Sequence, residues 1–198
     1  DGELKTAVNA AAEIAQYAGR GVSAAQARRL YDRAPQQIAK SLEAYGYYNA
    51  TANGELKETA QGFDAVVHVV PGEPTAVATL AIAVPDPARD EKIVAKALRE
   101  FSPGKGERFD HAAYEKSKAT VQGALVASGY LDAAVATKRV EVTRAANRAE
   151  IELAWKTGPR YRYGKTTFTG DWFAEGLLER YVPWHEGDFY GQLQLLQL

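Results

Sequence analysis

The 198 residues carry 24 Lys and Arg against 25 Asp and Glu, a formal charge of −1, with 46% apolar and 25% charged residues. Near-neutrality withholds the basic surface of a general nucleic-acid binder, and the composition belongs to a folded chain rather than a disordered one. Zero cysteines exclude disulfides, thiolate zinc sites and a cysteine nucleophile.

The length suggests one or two domains. No window of about 18 uninterrupted apolar residues is available to cross a membrane as a helix. The best candidate, Ala65–Val84, is interrupted by His68, Pro71, Gly72, Glu73 and Pro74. The start has neither an initiator Met nor a signal-peptide pattern, so the chain reads as a processed or trimmed piece.

In chain order, helices are expected at about Gly2–Ala18 and Ser23–Tyr45. Ser23-Ala24-Ala25-Gln26 fits a capping box, and Pro35 predicts a break or kink in the second helix. A hairpin follows, Asn49–Lys57 with Gly62–Val70, and Phe63, Ala65, Val67 and Val69 alternate onto one face. Beyond Gly72-Glu73-Pro74 lies a strand at Thr75–Val84, rich in β-branched and small apolar residues.

Asp86-Pro87 is expected to open a helix reaching Phe101, lined on one side by Ile93, Ala97 and Phe101. Ser102–Arg108 reads as a loop, and Asp110 as the cap of a helix reaching Ser128. Strands are expected at Leu131–Thr143 and Ala149–Thr157, joined by a turn near Asn147, and again at Tyr161–Thr169.

These elements repeat. An offset of 83 places Tyr31 on Tyr114, Ile38 on Val121, Leu42 on Leu125, Gly46 on Gly129 and Tyr47 on Tyr130. The shared spacing keeps the first three on one helical stripe, and the Gly falls where helices commonly stop in the left-handed conformation. An offset of 86 places Phe63, Ala65, Val67 and Val69 on Ala149, Ile151, Leu153 and Trp155, and the strand at Tyr161 on that at Thr75. Glu186–Tyr190 matches Lys105–Phe109 at an offset of 81.

The unit is β-α-α-β-β. The fold class is therefore α+β, in tandem units of two helices on a three-stranded mixed sheet. The expected boundaries are 1–73, with its first strand lying before Asp1, then a complete 74–159, then 160–198 as the start of a third. A third closing Gly would fall near position 210, past Leu198. Linkers as short as Pro71–Pro74 and Gly158–Pro159 suggest a semi-rigid arm, a shape suited to a scaffold.

Little here suits catalysis. His68, His111 and His185 are scattered one per unit and share no metal-ligand spacing. Gly104-Lys105-Gly106 lacks the full phosphate-loop pattern, and Glu150 and Glu152 read as the solvent side of a strand. No Gly-x-Ser-x-Gly elbow appears, and no catalytic, cofactor-binding or metal residue is assigned. Asn49-Ala50-Thr51 is formally a glycosylation acceptor, a pattern common by chance. Tyr31, Tyr47, Tyr114 and Tyr130 read as packing between helix and sheet, while Tyr48, Tyr161 and Tyr163 flank strands and suit a protein-binding edge. A small sheet with an open edge can accept an extended polypeptide through main-chain hydrogen bonds.

The segment Arg28-Arg29-Leu30-Tyr31-Asp32-Arg33-Ala34-Pro35-Gln36-Gln37-Ile38, with Leu42 and Ala44-Tyr45-Gly46-Tyr47-Tyr48, resembles the first POTRA (polypeptide-transport-associated) domain of the TamA family. Ser128-Gly129-Tyr130 and Gly158-Pro159-Arg160-Tyr161 resemble features shared by POTRA domains generally, and Pro183–Tyr190 resembles the loop before the second helix of a third.

The resemblance implies the periplasmic arm of a Gram-negative outer-membrane assembly protein and no enzyme. The implied partners are a TamB-like inner-membrane-anchored protein, outer-membrane protein and autotransporter clients, and the family's own C-terminal membrane β-barrel, which this sequence does not contain. It further implies that the first hairpin strand of each unit is the exposed edge. The expected protein-binding residues are therefore Asn49, Ala50, Thr51 and Ala52, and Leu131, Asp132, Ala133, Ala134 and Val135. An arm of the main barrel-assembly machine or of a two-partner secretion transporter is the alternative within this class. A hydrolase of the envelope, the alternative outside it, would need convergent polar groups that the sequence does not offer.

Overall fold

The computed structural model describes residues 2–169 and 178–197. Backbone proximity groups the chain into two compact units: Asp1–Leu80 with Pro103–Tyr114 and Val140–Glu150, and Ala81–Ser102 with Glu115–Arg139 and Ile151–Leu198.

In the first unit, α1 (Gly2–Ala11) gives way at Ala12 to a separate 3-10 turn, Glu13–Tyr17. The expected single helix to Ala18 is thus two pieces, because Ala12 takes an extended conformation (φ −76°, ψ 106°). It is also buried, a member of the core. Ser23 then caps α2 (Ala24–Glu43), its hydroxyl accepting from the Gln26 amide at 3.3 Å.

The helix runs through Pro35 without ending, contrary to the break allowed for from sequence. A mid-helix proline costs about 3 kcal/mol. Leu30, Ala34, Ile38 and Leu42 bury a stripe on both sides of it, and each large apolar side chain so buried contributes about 1.5–3 kcal/mol. The stripe outweighs the proline.

A two-residue turn joins β1 (Thr51–Thr59) to β2 (Gly62–Val70), paired antiparallel from Thr51–Val70 to Thr59–Gly62. Ala12, Ala34, Ile38 and Leu42 form the core, with Val8, Ala50, Ala52, Val67 and Val69 packed against it.

The second sheet consists of β3 (Ala76–Ala83), β4 (Ala134–Thr143) and β5 (Arg148–Lys156), in the order β3-β5-β4. Flanked on both sides, β5 shows complete alternation. Ala149, Ile151, Leu153 and Trp155 are buried, while Arg148, Glu150, Glu152 and Lys156 face solvent. Between β3 and β4 come α3 (Lys92–Arg99) and α4 (His111–Ala127).

The helix expected from Asp86 starts later. Ala88–Asp90 form a 3-10 turn, and Glu91 stands extended before α3 (φ −59°, ψ 129°). Tertiary contacts hold this arrangement, since Ala88 is fully buried and Glu91 Oε1 meets Arg160 Nη1 at 2.5 Å. Val94 and Ala97 of α3 and Phe101 just beyond it are buried, whereas Ile93 is 38% exposed.

The helix ends are built alike. Gly46 (φ 82°) and Gly129 (φ 97°) are left-handed. The Tyr47 and Tyr130 amides reach back to the Leu42 and Leu125 carbonyls, both at 3.0 Å, in the pattern that closes a helix on glycine. Each Gly then receives the next segment. Its carbonyl accepts from Thr75 N (2.7 Å) in one place and from Tyr161 N (2.8 Å) in the other. Thr75 O accepts from Phe109 N, and Tyr161 O from Tyr190 N, so the bonds obey the offsets of 83, 86 and 81 read from sequence.

The strand expected at Tyr161–Thr169 is not formed. Among the described residues it is reduced to one bridge, Arg162 with Phe189, with Tyr161 and Tyr163 bonded to residues 187–190. A strand needs a ladder, and residues 164–169 meet none. A short helix, α5 (Gln192–Leu195), follows. Residues 170–177 of the expected third unit lie outside the described residues.

Candidate functional site

An edge strand presents half of its N–H and C=O groups without a ladder partner. β4 occupies that position in the order β3-β5-β4, and the two-stranded β1-β2 sheet has two such edges. β4 carries Lys138 and Arg139 near its middle, charges of the kind that blunt unwanted edge pairing. Lys138 Nζ reaches Glu115 Oε1 on α4 at 3.2 Å. The hydrogen bond from Lys118 holds the Glu115 carboxyl below its usual range, with Lys138 assisting and partial burial opposing.

The nine residues expected from sequence fall in two places. Thr51 and Ala52 open β1, and Ala134 and Val135 open β4, where Val135 is 37% exposed. The other five lie in the lead-in turns. Leu131 is 42% exposed, and Asp132 Oδ2 accepts from the Tyr161 hydroxyl at 3.0 Å, which raises that phenol's pKa. Ala133 is buried, its carbonyl accepting from Gln122 Nε2 at 2.5 Å. Gln122 Oε1 in turn accepts from the Trp155 indole at 3.0 Å.

Ala50 and Ala52 turn inward onto the Ile38–Leu42 core. Asn49 is tethered, its Nδ2 donating to Arg144 O and to Asn147 Oδ1, both at 2.8 Å.

Asn49 thereby belongs to a cluster that sequence reading missed. Arg144 donates from Nη1 to the Tyr48 carbonyl (2.8 Å) and from Nη2 to Glu43 Oε1 (2.7 Å), its guanidinium 5.6 Å from the Tyr48 ring centre. Tyr48 Oη lies 2.5 Å from His111 Nε2. Burial pushes the Tyr48 phenol upward, Glu43 adds to the rise and Arg144 opposes it. Asn147, left-handed at φ 48°, gives its carbonyl to the Ala76 amide at 2.9 Å. The only sequence signal was the Asn at a hairpin turn, and its partners are far away in the chain. His111 has found a tyrosine, whereas His68 and His185 are exposed.

Among the described residues no three His, Asp or Glu side chains converge as a metal site, and no helix is long and apolar enough to cross a membrane.

Helix pairs and hairpins recurring in one order, closed on matched glycines and ending in open sheet edges, define a tandem α+β repeat protein. Residues 1–71 match the family model described as POTRA domain, TamA domain 1. Solved structures similar to the chain include POTRA domains 3–5 of BamA from Haemophilus influenzae, at 16% identity over 85% of this chain and 66% of that one (TM-score 0.46). BamA of Haemophilus ducreyi lacking POTRA domains 1–3 is similar at 15% identity over 82% of this chain and 30% of that one (TM-score 0.40). POTRA domains 1–3 of Omp85 from Anabaena are similar at 14% identity over 100% of this chain and 76% of that one (TM-score 0.39). The chain thus spans 66% and 30% of the length of the two BamA structures.

Proposed function

We propose that the chain is a periplasmic, non-catalytic polypeptide-binding arm of an outer-membrane assembly protein of the TamA type. Its POTRA units are 1–73, 74–159 and the beginning of a third at 160–198. The match of residues 1–71 to the first POTRA domain of TamA carries the reading. The open edge of β4 supports it physically, because an extended polypeptide gains main-chain hydrogen bonds there with little demand on its side chains. Thr51 and Ala52 on β1, and Leu131, Asp132, Ala134 and Val135 around the start of β4, are the proposed contacts, Ala133 being buried with its carbonyl already held by Gln122. The partners are a TamB-like inner-membrane-anchored protein, and unfolded outer-membrane and autotransporter polypeptides.

The test is recovery of partners from envelope extract on the immobilised chain, comparing wild type with Val135→Pro and Ala136→Pro. Successive residues of a strand point their amides to opposite sides, so one of the two substitutions removes an outward donor. Recovery of TamB or of unfolded outer-membrane proteins by wild type, lost in a variant whose circular dichroism is unchanged, is the expected result. Equal recovery by both folded variants removes the site from β4. Failure to recover any envelope polypeptide overturns the reading.

A further inference from the structure

The strands that open the two hairpins, β1 and β4, correspond at the offset of 83, with Glu55 falling on Lys138 and Leu56 on Arg139. β1 carries two acids and one base, Glu55, Glu58 and Lys57, whereas β4 carries two bases and one acid, Lys138, Arg139 and Glu141. The middle of the strand has changed sign from one unit to the next. Position sharpens the difference. Glu55 and Lys57 share a face of β1 and pair with each other at 2.7 Å, while Leu56 turns to the other face and is half-buried. On β4 the two cations stand on opposite faces: Lys138 reaches Glu115 on α4 at 3.2 Å, and Arg139, the next residue, is exposed on the far side of the sheet. A strand laid beside β4 therefore passes a cation on either face. Val135 is exposed on the face of Arg139, four residues before it.

Resting on the reading of β4 as the polypeptide-binding edge, we propose that this edge takes extended segments of unfolded polypeptide in which an acidic residue stands four places from an apolar one. Residues four apart in a strand share a face, so the acid lies opposite Arg139 when the apolar residue lies opposite Val135. Opposite charges across a pair of strands stabilise it, and like charges directly opposite weaken it. An acidic residue one place off falls beside Lys138, whereas a lysine or arginine at either place meets its own sign. The same charges speak against a second copy pairing through β4. Antiparallel overlap of Ala134–Thr143 with itself sets Lys138 against the Arg139 of the other copy, because the two cations occupy the centre of the strand.

The experiment titrates this chain with short, terminally blocked peptides of alternating valine and threonine whose central valine is replaced by glutamate, glutamine or lysine, and follows the β4 amides by NMR. The glutamate peptide should bind about fivefold more tightly than the glutamine peptide, and the lysine peptide more weakly than either. The shifts should centre on Val135–Arg139. The order should invert in the double variant Lys138→Glu, Arg139→Glu. In wild type the preference should shrink as salt rises from about 0.05 M to about 0.5 M, which tests the charge even if the double variant does not fold. Equal binding of the three peptides at β4 overturns the proposal and leaves the edge reading standing. A glutamate preference with shifts away from β4 overturns it too, since attraction to the surface then suffices. Binding by none of the peptides removes the edge reading and the proposal together. Shifts at β4 that grow with the concentration of the chain alone give the edge to a second copy and overturn the proposal.

Discussion

Arg144 and Glu43 lie 101 residues apart in sequence, yet Arg144 Nη2 donates to Glu43 Oε1 across 2.7 Å. The same guanidinium holds the Tyr48 carbonyl, and its own carbonyl accepts from Asn49. One side chain therefore ties the end of α2, the lead-in to β1 and the turn between β4 and β5.

Arg144→Ala removes two charge-assisted donations, but the arginine side chain is 56% exposed and solvent screens the pair. The expected loss is about 1 kcal/mol, measured as a shift in urea midpoint at constant slope. Arg144→Lys keeps the charge and loses the fork, so it should fall between wild type and alanine. A lysine variant as stable as wild type would show that charge alone does the work.

Gly46 is required twice over. At φ 82° a side chain is strained, and a Cβ there would lie 2.6 Å from the Phe109 carbonyl oxygen, a backbone atom that cannot rotate aside. Gly19 has a similar φ of 74° with open space around it. Gly19→Ala should therefore cost only the conformational penalty, about 1 kcal/mol, and Gly46→Ala about 2–4 kcal/mol. Equal costs for the two variants would mean that the approach of Phe109 is unimportant.

Gln122 bridges the Trp155 indole and the Ala133 carbonyl. Gln122→Leu leaves a buried donor and a buried acceptor unpaired, at a cost of about 2 kcal/mol in denaturant unfolding. Adding Trp155→Phe removes the orphaned donor and should cost less than the sum of the two single changes. Strict additivity would show that the bridge is not coupled to the indole.

The Glu115 carboxyl has a folded-state pKa lowered chiefly by Lys118, then by Lys138. A lowered pKa contributes stability that is present above the unfolded value of about 4.3 and is lost as pH falls through the folded value. The pair is exposed, so the contribution is a few tenths of a kcal/mol. Glu115→Gln should be slightly less stable than wild type at pH 7 and indistinguishable from it at pH 2.5. A gap that persists in acid would assign the effect to shape rather than charge.

Much of this architecture was legible in advance, and the misses have a common origin. Ser23 announced α2, the alternation from Phe63 to Val69 announced β2, and the paired glycines announced both helix closures, because each depends on residues within one turn or one pleat. Asp86-Pro87 looked like a helix start of the same kind. It lost to the burial of Ala88 and the pairing of Glu91 with Arg160, which no local pattern contains. Tyr161–Thr169 had the composition of a strand, but composition does not provide a neighbour to pair with.

By itself the sequence determined α2 with its cap, the hairpins, their recurrence at offsets of 83 and 86, and the two positions where only glycine closes a helix. Periodicity reports which face of an element is buried, and positive φ excludes nearly every other residue, so both are written locally. Only the tertiary structure decided that β5 lies between β3 and β4, that Val94 rather than Ile93 turns inward, and that Arg144 finds Glu43. Those outcomes depend on which distant surfaces meet when the chain packs, and local spacing carries no record of that.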